Sequence, residues 1–278
     1  MEFVVVLIPI FFIFGIGFVG EKVLKFDTKP LSMMAIYTIG LAFCLILVIY
    51  GIAFLKRYSL KKTCGMILAS AFMNNGNYGT PLIFFAFGES GLRYAVILMV
   101  IQQLLMCTVG IYYAAKGSPN GGGVKIALKE VVKIPIVYGA LLGIVFHFSQ
   151  IHIEGTFMEA ISMVGNAAVP TIMIILGMQL AKISVKKLDL APLSLSLGIR
   201  LFLSPVIAFA FTLILPIDDL LKQIMIVLSA MPTAANTTMY ALKYDTEPQF
   251  VSSATLFSTV LSVITLPIVL YVSQVIYG

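Results

Sequence analysis

Asn74-Asn75-Gly76-Asn77-Tyr78-Gly79-Thr80-Pro81 stands inside a run, residues 64–87, that is otherwise apolar. Pro81 has no N–H to give, and its ring collides with the turn before it. Gly76 and Gly79 loosen that turn further. A helix is therefore expected to break here, and the freed peptide groups must find partners. At membrane depth such backbone is tolerated only where protein or a water-filled cavity surrounds it. Residues 220–242 repeat the situation with Pro232-Thr233-Ala234-Ala235-Asn236-Thr237-Thr238.

Outward from these two stretches the chain is a succession of apolar segments. Spans are expected at about 3–20, 31–55, 64–87, 91–115, 131–148, 157–181, 191–215, 220–242 and 250–275. Each is long enough to cross a hydrocarbon layer of roughly 30 Å. The composition agrees: 60% of the 278 residues are hydrophobic, 11% are charged, and the mean hydropathy is +1.05. A soluble domain is nearer half apolar and a quarter charged, so the expected class is an all-α polytopic membrane protein whose solvent is the lipid bilayer. The first segment lacks the basic start and small-residue cleavage site of a signal peptide and reads as a retained helix. Cys44, Cys64 and Cys107 fall in or beside apolar segments without metal-ligand spacing and read as packing residues.

The net charge of +6 does not point to nucleic acid, because Lys and Arg occupy short runs between apolar segments. Twelve basic residues fall in the loops after the second, fourth, sixth and eighth spans: Lys56, Arg57, Lys61, Lys62; Lys116, Lys125, Lys129, Lys133; Lys182, Lys186, Lys187; and Lys243. The loops after the third, fifth and seventh carry only Arg93 and Lys222, beside Glu89, Glu154, Asp218 and Asp219. The positive-inside rule makes the first set cytoplasmic. The loop Glu21–Lys29, with Lys22, Lys25 and Lys29, runs against that rule.

Sliding the chain by 159 residues lays Ser70-Ala71 on Ser229-Ala230, Asn77 on Asn236 and Ala95 on Ala254. Five spans separate the two broken segments, so these copies are antiparallel. Upstream the best offset is 126, with Pro9-Ile10 on Pro135-Ile136 and Gly17 on Gly143. The difference of 33 residues is about one membrane helix and a turn. The simplest account is two inverted repeats of four and five helices from an ancestral five and five, the first having lost about one helix within residues 31–55. The expected organisation is a first membrane repeat over 1–115, a Gly-rich cytoplasmic linker over 116–130, and a second repeat over 131–278.

Two broken helices in corresponding positions of inverted halves point to a transporter's central site. Half-helix N-termini present unpaired N–H groups and a partial positive charge, which suits an anion. Asn77 and Asn236 can each donate and accept, to substrate or to loose backbone. The candidate binding set is Asn74, Asn75, Asn77, Gln103, Asn236 and Thr237. Gly76, Gly79, Pro81 and Pro232 form the crossover hinge. Arg200, near the middle of its span, is a candidate for drawing an anion inward or for a structural pair. Gln102 lies beside Gln103 and is a further candidate for lining the cavity. Glu159 reads as solvated near the outer end of its span, as do His147 and His152 of theirs, and Gly165, Pro170 and Gly177 read as packing and kink residues. No HExxH, paired intramembrane aspartates or GxSxG motif is present, so no catalytic residue, metal or cofactor is expected.

Asn74-Xaa-Gly76-Asn77-Xaa-Gly79-Xaa-Pro81-Leu82, followed by Phe87-Gly88 and Gly91-Leu92, resembles the signature of the auxin efflux carrier family of membrane transporters. Ser229-Ala230-Met231-Pro232-Thr233-Ala234-Ala235-Asn236 resembles its second-half counterpart. Pro9-Ile10 with Gly15 and Gly17, Lys29-Pro30-Leu31-Ser32, and Gly165-Asn166-Ala167-Ala168-Val169-Pro170 with Leu176-Gly177 also fit. The resemblance implies ten helices in two inverted repeats crossing at the broken helices, a scaffold part that forms a homodimer, and a transport part that moves by an elevator-like shift. It implies small organic anions as substrates, such as malate, malonate or an auxin-like carboxylate, carried across the plasma membrane. This chain departs from the pattern after Tyr37-Thr38, passing directly to Ile39-Gly40 where family members carry the rest of one helix and the start of the next. A non-transporting remnant or regulatory membrane protein of the same fold is the alternative. The coupling ion, Na⁺ or H⁺, stays open. No acidic residue lies inside the broken motifs, so movement driven by membrane potential is the smaller assumption.

Overall fold

The computed structural model describes residues 29–119, 155–181 and 189–278, with positions 138, 139, 142, 143, 145, 146 and 149 between them. The expected span at 3–20, most of the one at 131–148, the loop residues 21–28, most of the linker, and His147 and His152 lie outside the described residues. Among those described, the chain is helical and holds a single isolated β-bridge.

Helix α1 (Lys29–Lys56) buries Met34, Tyr37, Leu41, Leu45 and Ile49 at three- and four-residue spacing. Its opposite face, with Leu31, Ile39, Phe43, Leu47 and Phe54, is as apolar and yet exposed. A helix that is apolar all round and packed on one side only has lipid on the other. The protein is an integral multi-pass membrane protein.

Helix α2 (Leu60–Ser70) begins where the Ser59 hydroxyl accepts from the Lys62 N–H at 3.2 Å, a standard N-cap. It stops at Ala71. After an extended stretch the chain re-enters helix through a π-turn at Asn75–Gly79 and continues as α3 (Thr80–Leu105). Gly88 interrupts α3 with φ +64°, a left-handed conformation that glycine adopts without strain. The expected spans at 64–87 and 91–115 are thus separate elements, folded back at Gly88. A second π-turn (Met106–Gly110) leads to α4 (Ile111–Lys116).

Helix α5 (Thr156–Ala181) follows, with Glu159 exposed in its first turn and Pro170 inside it. Then come α6 (Leu190–Gly198), a π-turn (Ile199–Leu203) and α7 (Ser204–Ile214), which together form one span. Helix α8 (Asp219–Ser229) is capped by the Asp218 carboxylate on the Leu221 N–H at 2.9 Å. Helices α9 (Ala235–Tyr244) and α10 (Pro248–Tyr277) complete the chain. Two π-turns have a shared cause: each precedes a proline, Pro81 or Pro205, whose ring displaces the carbonyl four residues back, and widening the turn relieves the collision.

Five stretches among the described residues are long and apolar enough to cross a membrane by length and composition: Lys29–Lys56, Asn75–Lys116 (which the kink at Gly88 divides in two), Thr156–Met178, Leu190–Ile214 and Pro248–Tyr277. The region 219–244 is absent from that set because its break leaves two pieces of 11 and 10 residues.

The ends of the bundle sort as the basic residues do. Lys61 pairs with Asp245 at 3.1 Å, and Lys62 with Asp189 and Glu247 at 3.1 and 3.2 Å. The Lys116 ammonium donates to the Tyr50 hydroxyl at 3.3 Å, and the Thr246 hydroxyl to the Ala114 carbonyl. The loops after the second, fourth and eighth spans, and the residue that opens the seventh, therefore meet at one end. At the other, the Tyr94 hydroxyl donates to Asp218 at 3.1 Å and the Gln223 amide to the Tyr277 carbonyl at 2.9 Å.

Candidate functional site at the crossing of two broken helices

The two interruptions meet. Phe72–Asn74 and Met231–Ala234 run antiparallel, with Met73 facing Thr233. The Asn74 N–H donates to the Pro232 carbonyl at 2.9 Å and the Ala234 N–H to the Phe72 carbonyl at 3.0 Å. The Thr233 hydroxyl donates to the Ala69 carbonyl at 2.5 Å, and its N–H to the Ser258 hydroxyl at 3.1 Å. Each break thus lends the other the partners it lost on leaving the helix, which is how irregular backbone survives at this depth.

The register carries a detail that the sequence match hides. The caps Ser59 and Asp218 lie 159 apart, the paired residues Met73 and Thr233 lie 160 apart, and the left-handed residues Gly88 and Glu247 lie 159 apart again. The second broken segment holds one residue more than the first between its cap and the crossing. The first half takes it back afterwards in its π-turn, which holds one residue more than an α-turn. Asn77 therefore comes four residues after the crossing and Asn236 three.

Both nonetheless border the same cavity. It measures about 30 Å³ and is lined by Asn74, Gly76, Asn77, Ala234 and Asn236 from the crossing. Met73, Met99, Gln102, Gln103 and Met106 complete the lining. Of the expected binding residues, the structure brings Asn74, Asn77, Gln103 and Asn236 together. Asn75 is buried just behind them, and Thr237 is turned away, its hydroxyl donating to the Ala234 carbonyl at 2.7 Å. Of the hinge residues, Gly76 borders the cavity. Gly79 packs against Leu228, Pro81 opens α3, and the Pro232 carbonyl joins the backbone pairing.

The polar chemistry round this cavity is incomplete. The Asn74 Nδ2, the Asn75 Oδ1 and both amide atoms of Gln102 are buried without a hydrogen-bond partner. Buried polar atoms are almost always paired, because each orphan costs about 1–3 kcal/mol. Gln103 is less open: it donates to Cys107 at 3.2 Å, and Cys107 in turn contacts the Tyr240 hydroxyl. Gln102 is thus the residue most in need of a partner. Met99, Gln102, Gln103 and Met106 stand at helical spacing on one face of a span, the signal by which the sequence could have ranked it higher.

Leucine at Gln102 would remove two orphaned atoms at similar volume. The expected result is a rise in melting temperature of the purified protein, together with at least a tenfold loss of substrate uptake. A fall in melting temperature would show the amide to be a structural staple.

Arg200 does not line the cavity. It is fully buried on the far side of the crossing, within the π-turn Ile199–Leu203. Its guanidinium donates to the carbonyls of Ser70 and Ser229 and to the Ser204 hydroxyl. Of its two expected roles, the geometry is that of a structural partner, here to backbone.

Two broken helices that cross, with unpaired amides beside the half-helix N-termini, are the arrangement found in broken-helix membrane transporters. The chain belongs to the Membrane transport protein family, whose profile matches residues 123–270, and which is the auxin efflux carrier type that its motifs resemble. It is 30% identical over 209 residues to an uncharacterized transporter of Methanothermobacter thermautotrophicus, covering 74% of this chain and 67% of that protein. Another uncharacterized transporter, from Methanocaldococcus jannaschii, is 27% identical over 218 residues, with the same coverage of both chains. A Rhizobium meliloti protein provisionally named a malonate transporter is 24% identical over 240 residues, 84% of this chain and 75% of that one.

Proposed function

We propose that this protein is a secondary carrier that binds a small organic anion at the crossing and moves it across the plasma membrane by an elevator-like shift. The reading takes the two halves as inverted repeats and the functional unit as a homodimer. The observation that carries it is the cluster of buried, unpartnered amide atoms on Asn74, Asn75 and Gln102 beside the N-terminal ends of two half-helices. Carboxylate oxygens accept from amide and backbone N–H groups, and two helix N-termini favour negative charge. The name of the Rhizobium meliloti relative suggests a short dicarboxylate such as malonate, with malate and auxin-like carboxylates as further candidates. At about 30 Å³ the cavity has room for a water or two but not for a diacid. On this reading the site widens during the cycle, by displacement of the crossed helices against α5.

One observation favours a second reading, a non-transporting remnant or regulatory protein of the same fold: α1 is a single continuous helix of 28 residues where the family resemblance implies parts of two. Uptake decides between them. Proteoliposomes holding the purified protein, with an imposed membrane potential, are expected to accumulate labelled malonate, malate or indole-3-acetate at least fivefold above protein-free vesicles. Flux equal to protein-free vesicles for all three would sink the carrier reading and leave the second.

A further inference from the structure

Two helices end at the crossing, and their carbonyl ends converge. The last carbonyls of a helix lack amide partners and together amount to about half a negative charge. Helix α2 ends at Ser70 and α8 at Ser229. These residues stand 159 apart, as the two helix caps do, and one side chain reaches both of their carbonyls, so about one full negative charge gathers there. Arg200 fills that point. Its Nη1 donates to the Ser70 carbonyl at 3.0 Å, and its Nη2 to the Ser229 carbonyl and the Ser204 hydroxyl, which itself donates to Ser229 at 2.9 Å. Among the described residues no carboxylate pairs with it. A lone buried guanidinium is costly in an apolar interior, and the two helix ends are what offsets it. The first half supplies no counterpart: Leu41 stands 159 residues before Arg200 and is equally buried.

In carriers built on broken helices, half-helix C-termini and unwound carbonyls are also where a coupling cation is held. We propose that Arg200 is a tethered cation standing in that place, so that the crossing takes no free Na⁺. Its removal then uncovers a site for a small monovalent cation, formed by the Ser70 and Ser229 carbonyls and the Ser204 hydroxyl. The anion cavity lies at the opposite, N-terminal ends of the half-helices, so the carrier keeps a fixed positive charge behind its site through the cycle. The consequence for ion coupling rests on the carrier reading. The charge balance at the crossing does not, and it is measurable without transport.

The test is the melting temperature of purified wild type, Arg200→Ser and Arg200→Lys in NaCl, LiCl or choline chloride at equal ionic strength. Wild type is expected to melt at the same temperature in all three. Arg200→Ser should melt about 6–12 °C lower in choline and recover at least half of that loss in NaCl or LiCl with a saturable dose response. Arg200→Lys, which keeps the charge but not the fork, should fall between and stay blind to Na⁺. A saturable Na⁺ response in wild type would overturn the proposal, as would Arg200→Ser matching wild type in choline. If Arg200→Ser yields no folded protein, Arg200→Lys decides: a folded, Na⁺-blind lysine variant supports a charge requirement, and one equally unfolded shows that guanidinium shape alone is needed and overturns it. A failed uptake assay leaves these outcomes readable, and a Na⁺-responsive wild type leaves the anion site standing.

Discussion

Alanine at both Asn77 and Asn236 is expected to abolish uptake, by at least a hundredfold, while leaving the purified protein within about 1 kcal/mol of wild-type stability. The two amides border one cavity from opposite half-helices. A hydrogen bond to an ionised carboxylate is worth about 1.5–3 kcal/mol, or tenfold to about 150-fold in binding, so two such losses exceed a hundredfold together. Both side chains are only partly buried, which is why their removal should cost little in folding. The single variants should each lose at least tenfold, and because the residues face one ligand their effects need not add. Uptake and melting temperature measured on the same preparations check this. Parallel loss of both in the single variants would reduce the asparagines to staples between kinked helices.

The breaks were legible because they are written in residue types with few other uses at membrane depth. Asn-Gly-Asn, Gly79 and Pro81 can hardly sit in a lipid-facing helix, and the structure places the interruption at Ala71–Asn74 with a π-turn after it. The expected spans at 31–55, 157–181, 191–215 and 250–275 match α1, α5, the α6–α7 pair and α10 to within a few residues. Apolar length is a strong signal when lipid is the solvent. The loops that carry most of the basic residues, where described, do gather at one end.

What stayed hidden depends on direction and register rather than on residue type. The sequence placed Arg200 at mid-span but could not show which side of the crossing it faces, since that is fixed by the rotation of α6 and α7 against α2 and α8. Gln102 and Gln103 are neighbours in sequence and 100° apart on a helix. One is left with two orphaned amide atoms and the other is bonded to Cys107. The caps Ser59 and Asp218 and the positive-φ residues Gly88 and Glu247 stand 159 apart, but the residues paired at the crossing stand 160 apart. An ungapped match averages over that slip. The two π-turns beside Pro81 and Pro205 belong with it, since a proline that widens a turn leaves the same trace in the sequence as one that ends a helix.

Valine at Gly79 is expected to prevent stable folding. Gly79 is the last residue of the π-turn, and a Cβ there would lie 2.6 Å from Leu228 Cδ2 and 3.3 Å from Met231 Cγ. Leu228 and Met231 are both buried, at 1% and 0% exposure, in the half-helix and break of the other half. They cannot swing into lipid to make room, and a rigid β-branched side chain has no second rotamer to offer. Overpacking of this kind costs typically 1–3 kcal/mol per site and more where a crossing is displaced. Displacement here would also stretch the backbone bonds from Asn74 to Pro232 and from Ala234 to Phe72, leaving four buried peptide groups unpaired at about 1–3 kcal/mol each. Gly51 supplies the control: it is exposed on α1, and a Cβ there would meet nothing within 4 Å. Gly51→Val should therefore purify with a melting temperature within about 2 °C of wild type, whereas Gly79→Val should run as aggregate in detergent size-exclusion chromatography and Gly79→Ala fall between them. A well-folded Gly79→Val with full uptake would mean that the two halves do not need this close approach, and that the crossing is held by its backbone pairing alone.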